Sequence, residues 1–193
     1  MDPSKRERLL KAAIKLFARD GFFKAKVEEI AKIAGVATGT TYLYFKNKDD
    51  LLISIFEEEM TPIIEEMKTA MTALQSPQEK ILAYIAHHCE TVRKNPDLAM
   101  LLIVELRQSN KFLHDYQGTK FKEYLEPLGE AFLEGQRAGI FRTDVPPTIF
   151  KQTVFGALDQ ISTNWILSKS KKIDLAAAGE CVGKILLEGV LIR

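Results

Sequence analysis

Residues 38–44, Thr38-Gly39-Thr40-Thr41-Tyr42-Leu43-Tyr44, place five hydroxyls and one glycine within about two turns of helix. Hydroxyls and phenols hydrogen-bond phosphate oxygens, threonine methyls can touch thymine methyls, and a glycine lets a backbone approach closely. Lys46 and Lys48 flank the stretch and can neutralise phosphate charge. Three threonines and two tyrosines are poor helix formers for a mere packing element. The competing reading is a polar surface helix of an all-α enzyme.

So short a helix is marginal alone and must be held by its neighbours. Apolar residues recur at helical spacing on both sides of it. Leu10, Ala13, Ile14 and Phe17 form one stripe, with Arg8, Lys11, Lys15 and Arg19 opposite, and Asp20-Gly21 ends that segment. Val27, Ile30, Ala31 and Ala34 form a second short helix, and Gly35-Val36-Ala37 turns the chain into the third. Two helices joined by a three-residue turn, with another packed beneath, make a helix-turn-helix unit. From Asp49 a long helix is predicted to run to about Leu74, with Pro62 inside it and a kink expected near Glu58–Pro62. Ser76-Pro77 starts the next helix, and Asn95-Pro96 ends it near Lys94. Leu98 to Leu106 is predicted to be a helix apolar on nearly every side and therefore buried. Further helices are expected at about 111–138, 147–168 and 174–192. The fold class is all-α, with about nine helices. Its boundaries are a helix-turn-helix domain over 1–48 and a ligand-binding and dimerisation domain over 49–193.

Composition narrows the function classes. The 193 residues are 46% hydrophobic with a net charge of +1, so disorder is excluded. Charge is uneven: residues 1–48 carry eleven Lys/Arg against five acids, while residues 49–193 carry sixteen against twenty-one. A basic head on a mildly acidic body suits a polyanionic partner. The longest apolar run, Leu98 to Val104, is far short of the roughly 20 residues a membrane helix needs. Two cysteines, Cys89 and Cys181, and no secretory leader point to the cytoplasm. His87-His88-Cys89 has the residue types of a metal site, but adjacent helix positions diverge by about 100 degrees. There is no G-x-S-x-G elbow, no G-x-G-x-x-G and no P-loop, so no enzyme is expected.

The stretch from Val27-Glu28-Glu29-Ile30-Ala31 through Ala34-Gly35-Val36-Ala37, Thr38 to Tyr44 and Phe45-Lys46-Asn47-Lys48-Asp49-Asp50-Leu51-Leu52 resembles the DNA-binding domain of TetR-family transcriptional regulators. That resemblance implies a homodimeric repressor on palindromic operator DNA. Carried over by position, Thr38, Gly39, Thr40, Tyr42, Leu43 and Tyr44 form the DNA-facing helix, and Lys48 meets the phosphate backbone. Thr41 and Phe45 would pack inward. Ala37 stands where a capping serine is common, so Thr38 is expected to cap the helix instead. Thr41 stands where a buried Leu or Ile is usual, and its hydroxyl needs a partner.

Three further passages are similar to the fatty-acid-degradation regulators of that family, the FadR/YsiA type. They are Leu51-Leu52-Ile53-Ser54-Ile55-Phe56, Glu105-Leu106-Arg107-Gln108-Ser109-Asn110, and Phe155 to Gln160 with Asn164-Trp165 and Asp174-Leu175. This resemblance implies long-chain acyl-CoA as effector, with no cofactor and no metal. An acyl chain needs a long apolar tunnel. Met60, Met67, Leu102 and Leu106 are the candidate lining, with Arg107 toward the polar end and Trp165 nearby; core packing is the competing reading of the apolar residues. Arg107 could bind CoA phosphate, or pair with Glu105 or Asp159. Gly156, Ala157, Ala176, Ala177, Ala178, Gly179, Gly183 and Gly189 sit in the last two helices, which form the dimer interface in this family. Two alternatives remain open: induction by a drug or other hydrophobic compound, and an all-α acyl-binding protein without an operator.

Overall fold

The computed structural model describes residues 2–106, 119–170 and 173–192. Nine α-helices follow one another among them: α1 Pro3–Asp20, α2 Val27–Ala34, α3 Thr38–Tyr44, α4 Lys48–Thr72, α5 Pro77–Lys94, α6 Pro96–Met100, α7 Thr119–Arg137, α8 Pro147–Leu167 and α9 Leu175–Val190. A π-helical turn, Leu101–Glu105, continues directly from α6. The only β-type pairing among the described residues is one antiparallel bridge between Phe141 and Leu191. There Arg142 N–H donates to the Val190 carbonyl at 2.9 Å, tying the end of α9 to the turn after α7. Among these residues no helix is long and apolar enough to cross a membrane.

The chain divides into two compact units, Met1–Glu59 with Asn95–Gln117, and Met60–Lys94 with Gly118–Arg193. A cut after residue 48 falls inside the first unit, because the apolar face of early α4 (Leu51, Leu52, Ile55, Phe56) is buried in it. α4 itself runs unbroken through Pro62. Pro62 stands on the exposed side, where solvent can satisfy the carbonyl its ring leaves without a partner.

In the first unit α1 buries Leu9, Leu10, Ala13, Leu16 and Phe17. Gly35 ends α2 at φ +67°, and Val36 N–H returns to the Ala31 carbonyl at 3.0 Å, which is the closure a left-handed helix cap provides. Asn47 starts α4. Its side chain accepts from Asp50 N–H at 2.8 Å, and the Asp50 carboxylate accepts from Lys46 N–H at 2.8 Å. This reciprocal cap fixes where α4 begins relative to α3.

The second unit is built from late α4, α5, α7, α8 and α9. Gly179 and Gly183 lie against α5 of the same chain. A Cβ at Gly179 would stand 2.7 Å from Cys89 Sγ, and one at Gly183 would stand 2.7 Å from Leu82 Cδ2. These two glycines therefore serve helix packing within the subunit. Gly156 and Gly189 have open space in front of them, and Ala176 and Ala177 are exposed. The stripe of small residues thus splits between two faces, because helix α9 turns one side to α5 and the other outward.

Inside the unit, His88 is buried between Tyr124 and Ser162, with Nδ1 2.6 Å from the Tyr124 hydroxyl and Nε2 3.1 Å from Ser162 Oγ. His87 Nε2 instead lies 3.8 Å from Glu66, and Cys89 packs on Gly179, so the three neighbours point at different partners. Burial pushes the His88 imidazole down from its ordinary 6.5 to about 4, with a smaller contribution from His87. The unfolded chain therefore binds a proton at His88 well before the folded chain does. Stability should be full above pH 6.5 and fall as pH drops toward about 4, by up to about 3 kcal/mol. Thermal unfolding between pH 7 and 4.5 checks this: the parent should lose stability steadily, and His88→Gln should flatten the slope. An unchanged slope in the variant would contradict the assignment to His88.

Candidate nucleic-acid interface and effector region

Helix α3 presents a hydroxyl-rich outer face. Tyr42 is 53% exposed and Leu43 65%, Gly39 is open with no atom near a would-be Cβ, and Thr38 and Thr40 are half-exposed. Thr41 and Phe45 are each 2% exposed and face the head's interior, where the Arg6 guanidinium lies 5.2 Å over the Phe45 ring and also pairs with Glu58. Thr41 Oγ1 is buried without a hydrogen-bond partner, so the threonine replaces an apolar side chain at a cost of about 1–3 kcal/mol. The N-cap is Ala37, which has no side-chain acceptor, and Thr38 is already the first helical residue. The expected Thr38 cap is corrected accordingly: the chain is extended at Ala37 (ψ 146°) and turns helical only after it. Tyr44, half-buried, accepts from Asp2 N–H at 3.1 Å and donates to the Asp2 carbonyl at 3.0 Å. Asp2 also caps α1 through Ser4 N–H at 2.9 Å, so the phenol anchors the start of α1 beside α3.

Lys48 is turned inward. Its ammonium donates to the carbonyls of Phe22 at 2.7 Å, Phe23 at 3.1 Å and Ala25 at 3.1 Å, and sits 4.6 Å from the Phe22 ring centroid. Burial lowers its pKa, and Asp49 partly offsets that. Three protons meet three carbonyls, so the side chain has no donor left over for phosphate in this arrangement. In the sequence the lysine stands out only by its charge. The loop carbonyls it gathers come from 23–26 residues upstream and carry no sequence signal.

On α1, Arg8, Lys11, Lys15 and Arg19 are all exposed. Arg8, Lys11 and Lys15, with Ala12, Ile33 and Ala34, border a groove of about 200 Å³ between α1 and α2. Lys11 pairs with Glu7 and Arg19 with Asp20 in solvent, arrangements of little energetic weight.

The residues expected to line an effector tunnel are distributed over both units. Met60 and Met67 are buried in the second, and Trp165 is half-buried there. Leu106 is buried in the first, while Leu102, Ile103 and Val104 are only half-buried. The segment is thus less enclosed than its composition predicts: Leu102, Ile103 and Val104 follow one another within the π-helical turn, and three consecutive positions of a helix cannot all face one core. Arg107 lies outside the described residues. Glu105, which the sequence offers as a partner for Arg107, is 9% exposed at the end of that turn, and its Oε2 accepts from Phe22 N–H at 2.7 Å. That bond to the loop after α1 is what sequence reasoning misses; a lone acid closing an apolar run does not say which backbone group it meets.

Residues 9–55 match the family described as "Bacterial regulatory proteins, tetR family", and residues 56–189 match "YsiA-like protein, C-terminal region". The chain belongs to the tetR family. It is 35% identical over 182 residues to the fatty acid metabolism regulator protein of Bacillus subtilis (strain 168), covering 94% of this chain and 93% of that one. It is similar to the solved structure of fatty acid degradation regulator FadR from Bacillus halodurans, at 36% identity and TM-score 0.86, covering 97% and 99% of the two chains. It is likewise similar to FadR from Bacillus subtilis in complex with stearoyl-CoA, at 35% identity and TM-score 0.88 with the same coverage. These relatives are regulators, and the tetR-family head of this chain is its own residues 9–55.

The inward ammonium of Lys48 separates two roles by salt dependence. Were the lysine bound to phosphate, Lys48→Ala would make the salt dependence of operator affinity shallower by about one charge. Removing a clamp on the loop instead lowers affinity at every salt concentration and leaves the slope alone. The second outcome is expected in a salt titration of Lys48→Ala against the parent; a slope shallower by one charge would return the lysine to the phosphate backbone.

Proposed function

We propose that this protein is a homodimeric transcriptional repressor of fatty-acid degradation genes in the cytoplasm, released from palindromic operator DNA by long-chain acyl-CoA. The observation that carries the reading is a relative bound to stearoyl-CoA whose fold matches 97% of this chain at 35% identity. Thr38, Gly39, Thr40, Tyr42 and Leu43 are the groove-facing residues, with Tyr44 anchoring the helix they stand on. The outward side of α8 and α9, with exposed Ile149, Gly156, Ile185 and Gly189, is the dimer surface. Small side chains there let two copies approach closely, and a two-fold dimer presents one α3 to each half of a palindrome.

Met60, Met67, Leu102, Leu106 and Trp165 are the acyl-chain residues, with Arg107 toward the CoA phosphates. The effector acts by preferring a conformation in which the two recognition helices no longer match successive major grooves. α4 is the lever: it starts at the cap beside α3, and the boundary between the two compact units falls within it, at Glu59. A hundredfold loss of operator affinity requires the effector to prefer the released state by about 2.7 kcal/mol, and operator must then weaken effector binding by the same factor. No catalytic step is assigned to the chain.

Titrating the operator complex with acyl-CoAs of increasing chain length, beside free fatty acid and free CoA, tests the assignment. Release by long acyl-CoAs alone is expected. Indifference to every acyl-CoA would falsify the inducer and leave a repressor answering to another hydrophobic compound.

A further inference from the structure

Glu105 is a charged side chain that the proposed function leaves unused, and burying a carboxylate is costly unless it has partners. Its Oε2 takes the backbone N–H of Phe22 at 2.7 Å. Gly21, just before, has φ +82°, and a Cβ there would stand 3.5 Å from the same oxygen. The backbone angle is what calls for glycine, and the acid lies in ordinary contact with that position. The loop receiving this bond is the one whose carbonyls, at Phe22, Phe23 and Ala25, are held by Lys48. One peptide stretch is thus gripped by an acid on its donor and by a base on its acceptors. The base opens α4, next to the recognition helix. The acid ends the π-helical turn Leu101–Glu105.

That turn is what makes the grip movable. A π turn closes its hydrogen bond over one residue more than an α turn, so rewinding Leu101–Glu105 to α turns Glu105, its last residue, by up to about 100 degrees relative to α6. Glu105 cannot stay on Phe22 through such a rotation. Leaving would strand a buried acceptor and a buried N–H together, so the loop is either held or released and does not drift between the two. Leu102 and Leu106, the proposed effector residues, lie in and directly after the turn.

We infer that Glu105 is a positioning residue that transmits effector binding to the DNA-binding head, by holding the Gly21–Ala25 loop while Leu101–Glu105 is π-helical and letting it go when that turn rewinds. The identity of the effector rests on the function proposed above; the grip on the loop does not.

The test uses the full-length protein and its Glu105→Ala and Glu105→Gln variants, the amide oxygen of the second being able to accept the same N–H. Three quantities are measured: hydrogen exchange of residues 22–25 in the free protein, stearoyl-CoA affinity, and operator affinity with and without saturating stearoyl-CoA. In Glu105→Ala, exchange at residues 22–25 should rise at least about tenfold, since a local opening becomes easier. Stearoyl-CoA should still bind within about threefold of the parent, while its effect on operator affinity falls from about a hundredfold to below about fivefold. Glu105→Gln should recover most of both protection and coupling. Parental exchange in Glu105→Ala, parental coupling in that variant, or an equal loss in both variants would overturn the inference. If stearoyl-CoA fails to release the parent itself, the inducer is wrong, and the exchange comparison still decides whether Glu105 holds the loop.

Discussion

The head depends on satisfying the backbone of one short loop. Between α1 and α2 the chain turns at Gly21, and no regular ladder serves the polar groups of residues 22–25. Lys48 takes three of the carbonyls and Glu105 takes one N–H. Backbone groups removed from water must be paired, and a charged partner makes the stronger hydrogen bond. With the loop fixed, α1 and α2 keep their angle, and α3 has a floor to stand on. Seven residues cannot hold a helix in water unaided, so the recognition surface exists only through these supports and the inward packing of Phe45.

Much of this architecture is legible in the sequence, for identifiable reasons. The helix order and the turn at Gly35 follow from local spacing, where a period of 3.6 and a glycine speak for themselves. The inward placement of Thr41 and Phe45 and the outward face of α3 come from the family resemblance, carried over position by position. What spacing cannot give is partnership across the chain. Lys48 carries a charge that suggests phosphate, and only the fold brings the loop carbonyls beneath it. Glu105 meets a backbone group 83 residues away. The Asn47–Asp50 cap is visible in the sequence as a polar break, though its reciprocal geometry emerges only when α3 and α4 are both in place.

The second unit carries a similar lesson about small residues. Glycines in α8 and α9 signal close approach without saying to what. Gly179 and Gly183 meet α5, where Cys89 and Leu82 fill the space a side chain would need, whereas Gly156 and Gly189 look outward. The aromatic layer nearby obeys the same logic. Gly135 clears room for Phe141, whose ring stacks at 5.2 Å on Phe132, itself 3.9 Å from Phe150. Burial also silences chemistry there: the Cys89 thiol is pushed up to about 11, and His88 is kept neutral near pH 7. Side chains whose types suggest reactivity are here part of a packed interior.

The central claim is that an effector in the body changes the spacing of the two recognition heads. Pulsed electron resonance between spin labels at Lys32→Cys in the two subunits, in a Cys181→Ser background, measures that spacing directly; position 32 is exposed on α2, and Cys89 is buried. Operator DNA should narrow the distance distribution about the value that fits successive major grooves, and stearoyl-CoA should move it to a different mean. A distribution that is the same with stearoyl-CoA bound as with operator bound would contradict the claim, even if stearoyl-CoA and operator still displaced one another.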